Sequence, residues 1–262
     1  MLLAGCGSGS REARPSPTAT RTPSLCENFE ARVVAHVGEP ATEVSGLVRT
    51  RGGFWATNDS GDAPRIFQFA PDGRVRREVA VGGAEHVDWE DLAIRGRTLF
   101  IGDIGDNLAQ RSEIAIYRMR ETDTTATKLT LRYPDGPHDA EALLVDPRDG
   151  TIVIVTKDFG GAAHVHTGRS LRHATTLDLG LGQAITAGDV SADGRTIALR
   201  SYGRVYIWTR RDGESIARAL EREPCEANLA AEGQGETLAL SRDGRAFWTL
   251  PEGPRPALRR YG

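Results

Sequence analysis

Polar side chains, most of them acidic, stand at the head of short apolar segments, and the arrangement recurs five times along the chain. The hexads are Glu43-Val44-Ser45-Gly46-Leu47-Val48, Asp88-Trp89-Glu90-Asp91-Leu92-Ala93, Asp139-Ala140-Glu141-Ala142-Leu143-Leu144, Ala184-Ile185-Thr186-Ala187-Gly188-Asp189 and Gln234-Gly235-Glu236-Thr237-Leu238-Ala239. Side chains alternate along an extended strand, so the first and third positions share a face. If the hexads converge, Glu43, Asp88, Glu90, Asp139, Glu141 and Glu236 meet. Carboxylates that meet must be compensated by a cation, by basic partners or by protonation. Oxygen-only donors suit a hard cation such as Ca²⁺ or Mg²⁺. The loops Asn58–Asp62 and Asp103–Asn107 extend the candidate metal ligands to Asp59, Asp62, Asp103, Asp106 and Asn107. Asn58, Lys157 and Arg200 are the candidate ligand-binding groups.

Convergence requires an architecture that brings distant hexads to one axis. The third residues, Ser45, Glu90, Glu141, Thr186 and Glu236, are spaced by 45, 51, 45 and 50 positions. A period in this range, with about four strands per unit, predicts an all-β fold, a β-propeller of five four-stranded antiparallel blades. Turn signals divide the units into strands. The first is expected at Glu43–Thr50, Gly53–Asn58, Arg65–Phe69 and Val75–Val81, the second at Trp89–Ile94, Thr98–Gly102, Glu113–Arg118 and Lys128–Tyr133. The third is expected at Glu141–Val145, Thr151–Thr156, Ala163–Thr167 and Ala174–Leu179, the fourth at Ile185–Val190, Thr196–Leu199, Val205–Thr209 and Glu214–Leu220. The fifth has three strands only, Glu236–Leu240, Arg245–Thr249 and Ala257–Tyr261. Ala31–Val37, which has no partner in the first unit, is expected to complete it, close the ring and remove an exposed sheet edge.

One face of such a ring carries the acidic loops. The other carries Asp149-Gly150, Asp193-Gly194 and Asp243-Gly244, turns that need only connect strands. Any single Asp or Asn here is also ordinary turn chemistry, and the cluster is the stronger signal. Among the six histidines no zinc spacing is evident. His86 and His138 precede inner strands, and His164 with His166 reads as a surface pair.

The 262 residues carry a net charge of -3 and no basic stripe, which argues against nucleic-acid binding. No apolar run approaches the roughly 18 residues of a membrane helix. Leu3-Ala4-Gly5-Cys6 matches a bacterial lipobox, in which Cys6 is lipidated. Residues 1–6 therefore read as the end of a lipoprotein signal, shortened by a late-assigned start codon, since an apolar core of roughly 7–15 residues should precede the cysteine. Residues 7–25 read as a flexible Ser/Pro/Thr/Arg-rich tether, and residues 26–262 as the propeller domain. An exported, lipid-anchored or secreted monomer is expected, touching the membrane through the anchor alone. With Cys6 lipidated, Cys26 and Cys225 are either a disulfide or two free buried thiols; an oxidising compartment favours the bridge.

Asn58-Asp59-Ser60-Gly61-Asp62, Asp88-Trp89-Glu90-Asp91-Leu92-Ala93, Gly102-Asp103-Ile104-Gly105-Asp106-Asn107, Asp139-Ala140-Glu141-Ala142-Leu143 and Gly235-Glu236-Thr237-Leu238, in this order, resemble exported bacterial β-propeller lipoproteins of the WD40/TolB-like kind. The resemblance covers about residues 30–262. More distantly, the Glu-x-Leu inner strands are similar to phytase-like propellers, in which acidic residues at the channel mouth hold Ca²⁺ ions that bind phosphate. That resemblance implies metal-facing roles for Glu90, Glu141 and Glu236. Phytase-like propellers also use a Lys/Arg cluster, for which only Lys157 and Arg200 stand in comparable places here. Two functions follow as expectations. One is a binding protein that takes a small-molecule or protein ligand on its acidic face, with or without a divalent cation. The other is a metal-dependent phosphoesterase or esterase.

Overall fold

The structure, a computed structural model, describes Leu25 and residues 29–262. Four blades are built in chain order. The first holds β2 (Val44–Thr50), β3 (Gly53–Asn58), β4 (Arg65–Phe69) and β5 (Val75–Ala80). The second holds β6 (Trp89–Arg95), β7 (Thr98–Asp103), β8 (Ile114–Arg120) and β9 (Thr127–Leu131). The third holds β10 (Ala140–Val145), β11 (Ile152–Thr156), β12 (Ala162–Thr167) and β13 (Arg172–Asp178). The fourth holds β14 (Ile185–Val190), β15 (Thr196–Ser201), β16 (Arg204–Thr209) and β17 (Cys225–Asn228). The fifth blade runs β18 (Ala239–Leu240), β19 (Phe247–Thr249), β20 (Ala257–Tyr261) and then β1 (Ala31–His36) as its outer strand. β1 pairs antiparallel with β20, from Ala31 opposite Tyr261 to His36 opposite Ala257. The ring is thus closed by pairing β1 with β20.

Inner strands are apolar and buried along nearly their whole length, as in β10 and β14. Outer strands such as β1 and β5 are largely exposed. The core lies between blades: one apolar cluster joins Trp55 to Trp89 and Tyr117 across the first junction, and another joins Val155 to Tyr206 and Trp208 across the third.

The fourth blade departs from the expected layout. Residues 214–220 were expected to form its outer strand, but Ile216–Leu220 is a helix, α1. Ser215 caps it by accepting the Arg218 N–H at 3.1 Å, and Ile216, Ala219 and Leu220 bury one helical face. The outer strand is instead β17, nearer the last repeat. Its Cys225 is disulfide-bonded. Cys26, the partner suggested by the sequence, and the lipobox with Cys6 lie outside the described residues.

The inner strands carry a second departure. In β2, β6, β10 and β14 the pairing with the next strand skips one residue, and that residue is Ser45, Glu90, Glu141 or Thr186. Each is the third residue of its hexad. A bulge leaves one residue out of the ladder and re-aims its side chain, so a bulge, rather than simple alternation, sets the direction of the third positions. Ser45 Oγ donates to the Trp89 carbonyl at 2.8 Å, and Thr186 Oγ1 donates to the Gly235 carbonyl at 3.0 Å. These hydroxyls therefore bond the residue just before the next blade's glutamate.

Candidate functional site: an acidic channel mouth

Glu90, Glu141 and Glu236 are all buried where the inner strands begin. Asp59, on the loop leaving β3, joins two groups. Its carboxylate lies within 4.8 Å of those of Asp88 and Glu90, and likewise within 4.8 Å of those of Glu236 and Glu252. Five carboxylates from three blades thus share one mouth. Two such charges 4.8 Å apart repel by roughly 3 kcal/mol at an effective dielectric of about 20.

The ionisation pattern reflects this crowding. Burial, then Asp59 and Asp139, push the Asp88 carboxyl up to about 6. Burial and the neighbouring charge of Glu141 hold Glu90 well above the usual carboxylate range. Burial and a hydrogen bond with Glu236 push Glu252 up to about 8. Asp59 is raised by burial, against the Ser60 N–H that it accepts. Lys157 answers part of the charge through a buried ion pair with Glu141. Its ammonium also lies 5.7 Å from the centre of the Tyr202 ring, whose hydroxyl donates to Glu236 Oε1 at 3.0 Å. The second oxygen of Glu141 is buried and has no hydrogen-bond partner among the described residues.

Backbone shape matters at Gly105. A Cβ there would overlap the carboxylates of Glu90 and Asp88. Glycine lets the Asp103–Asn107 loop close tightly over the pair.

The remaining candidates are placed otherwise. Asp62 is ion-paired with Arg65 at 2.8 Å and accepts the Asn58 Nδ2–H at 2.9 Å. Asn58 Nδ2 also donates to the Pro40 carbonyl at 3.0 Å, which makes it a brace for its loop. Asp103 pairs with Arg111 at 2.8 Å and accepts the Asp88 N–H at 3.0 Å. Asp106 accepts the Arg111 N–H at 2.6 Å, its own N–H reaches Asp139 at 2.8 Å, and Asn107 is exposed. These groups hold the wall rather than open into the mouth. Arg200 is fully buried, bound to Glu232 at 3.0 Å and to the carbonyls of Ser201, Tyr202 and Thr237. Its guanidinium is not placed to meet a ligand. Glu43 is exposed.

Glu252 and Tyr202 are mouth residues outside the candidates drawn from the sequence. Deeper in the channel, Asp91 and Asp189 are buried acceptors for inner-strand amides. The opposite end is not the bland face expected from its turns. A cavity of ≈ 680 Å³ opens there, lined by Arg49, Arg51, Arg95, Arg97 and Arg242 around Asp189.

No family model matches the chain, and none of the curated proteins does. Among solved structures it is similar to a gluconolactonase from Xanthomonas campestris, at 11% identity over 83% of this chain and 71% of that one, with a TM-score of 0.49. It is also similar to the nidogen/laminin complex, at 16% identity over 81% of this chain and 73% of that one, with a TM-score of 0.51. At such identities the likeness is one of fold, the β-propeller, and assigns no activity.

Proposed function

We propose that the acidic mouth binds a divalent cation, Ca²⁺ in first place, and presents it to a small-molecule or protein ligand. The observation that carries this reading is the position of Asp59, common to two carboxylate triads, within each of which the oxygens lie within 4.8 Å of one another. Opposed oxygens on one Ca²⁺, each at 2.3–2.6 Å, are roughly 4.6–5.2 Å apart. The unpartnered Glu141 oxygen supports the same reading. When bound, the cation would neutralise carboxylates that otherwise repel or protonate. Asp59 with Asp88 and Glu90, or Asp59 with Glu236 and Glu252, would hold it, with Lys157 and Tyr202 ordering the adjacent wall.

The hydrolase alternative needs positive groups that meet substrate charge. With Arg200 bound to Glu232, Lys157 would have to serve alone, so the binding role is the better supported of the two. In the same reading the protein is an exported monomer, either tethered by lipid on Cys6 or secreted. Calorimetric titration of Ca²⁺ into the full chain tests the site: saturable binding weakened in Asp59→Asn is expected. Saturable binding unchanged by Asp59→Asn would place the cation elsewhere.

A further inference from the structure

Four of the six histidines converge on the outer half of the third blade, far in the chain from any single motif. His164 and His166 lie two apart on β12 and so share a face. His173 on β13 stands opposite His166 in the ladder. The loop from β9 to β10 folds Tyr133, Asp135 and His138 over them. Ring centres are 5.2 Å apart for His138 and His166, 5.7 Å for His166 and His173, and 5.5 Å for His164 and His173.

The surface reading of His164 and His166 fails for His166, which is fully buried. Among the described residues neither of its ring nitrogens has a hydrogen-bond partner. A buried polar group left this way is costly, and in a native protein it calls for a specific cause. Its Nε2 lies 3.4 Å from Asp135 Oδ1, and the same oxygen lies 3.0 Å from His138 Nε2. Ligand atoms of all three residues fall within 4.8 Å of one another. Two ligands at 2.0–2.1 Å on a tetrahedral ion are separated by about 3.3 Å, and the two observed separations bracket that value.

We infer that Asp135, His138 and His166 form a binding site for a borderline transition-metal dication of the Zn²⁺ class. Imidazole nitrogens with one carboxylate suit Zn²⁺, Ni²⁺ or Cu²⁺, in contrast to the oxygen-only mouth. Three protein ligands leave a fourth position open. The Asp135 side chain is 45% exposed and marks the path of entry. Beside them, Thr176 Oγ1 lies 3.2 Å from His164 Nδ1 and 3.0 Å from His173 Nε2 on the exposed side of the blade.

The test is titration of Zn²⁺ into the metal-stripped full chain by calorimetry, with Co²⁺ as a spectroscopic probe. One saturable equivalent is expected, with a visible Co²⁺ absorption typical of low coordination number. Asp135→Asn and His138→Ala change partly exposed positions and should each weaken binding at least tenfold, with folding verified by circular dichroism. Glu90→Gln should retain the equivalent, which separates this site from the acidic mouth. Failure of the wild-type chain to bind Zn²⁺ or Co²⁺ would overturn the inference. So would binding that is unchanged in both Asp135→Asn and His138→Ala, or binding lost in Glu90→Gln.

Discussion

The Asp91 carboxylate of the second blade accepts the backbone N–H of Leu143 in the third at 2.8 Å. The same side chain takes its own neighbour, the Leu92 N–H, at 2.8 Å and reaches the Gly188 N–H of the fourth blade at 3.4 Å. One buried group thus ties three inner strands together at the axis. Asp91→Ala strands those amides in a closed channel. A loss of about 3 kcal/mol or more is expected, which for a chain of this size lowers Tm by roughly 10 °C. Thermal unfolding checks it; a change within about 2 °C would mean that the tie is dispensable.

Asp189 gives the fold a pH dependence of definite sign. Burial raises its carboxyl to about 7 in the folded chain, against the backbone bonds it accepts from Leu240 and Val190. Between roughly pH 4 and 7 the folded form therefore holds a proton that the unfolded form has released. Stability must fall as pH rises through that window and level off above it. Denaturant unfolding at a series of pH values should show this slope in the wild type and a shallower one in Asp189→Asn.

Lys157 and Glu141 form a buried pair, so removing one partner should be worse than removing both. Lys157→Met leaves an uncompensated charge and is expected to cost about 3–5 kcal/mol. Adding Glu141→Gln should restore part of that loss. A double-mutant cycle measures the coupling, and strictly additive losses would show that the two groups act independently.

Gly105→Ala probes the mouth without changing a charge. The added methyl would overlap Asp88 and Glu90 and force their carboxylates apart. Ca²⁺ affinity should fall about tenfold or more, equivalent to about 1.4 kcal/mol, while Zn²⁺ binding at the His166 site stays intact. Calorimetric titration of both ions distinguishes the two effects.

Much of this was readable from residue order alone. The five hexads fix the number of blades, and the unmatched Ala31–Val37 segment points to the closing strand because a propeller leaves no edge open. Local chemistry was harder. A bulge at Ser45, Glu90, Glu141 and Thr186 leaves no mark in composition, since it depends on pairing with the next strand. Arg200 and Asp62 look like free binding groups until Glu232 and Arg65 are placed beside them. The histidine cluster comes from a loop and two strands, so no spacing rule could find it. The helix at Ile216–Leu220 was within reach: Ser215 as a cap and apolar residues at helical intervals are its signature.

The most direct measurement is thermal unfolding of the full chain with increasing Ca²⁺ and then with chelator, in the wild type and in Glu90→Gln. A cation that binds only the native state raises stability by about 2.7 kcal/mol at a hundredfold excess over Kd, or roughly 5–10 °C here. A rise that grows with the logarithm of Ca²⁺ concentration, reversed by chelator and lost in Glu90→Gln, is the expected result. Wild-type unfolding indifferent to Ca²⁺, Mg²⁺ and Mn²⁺, or an equal rise in Glu90→Gln, would contradict a cation site at the channel mouth.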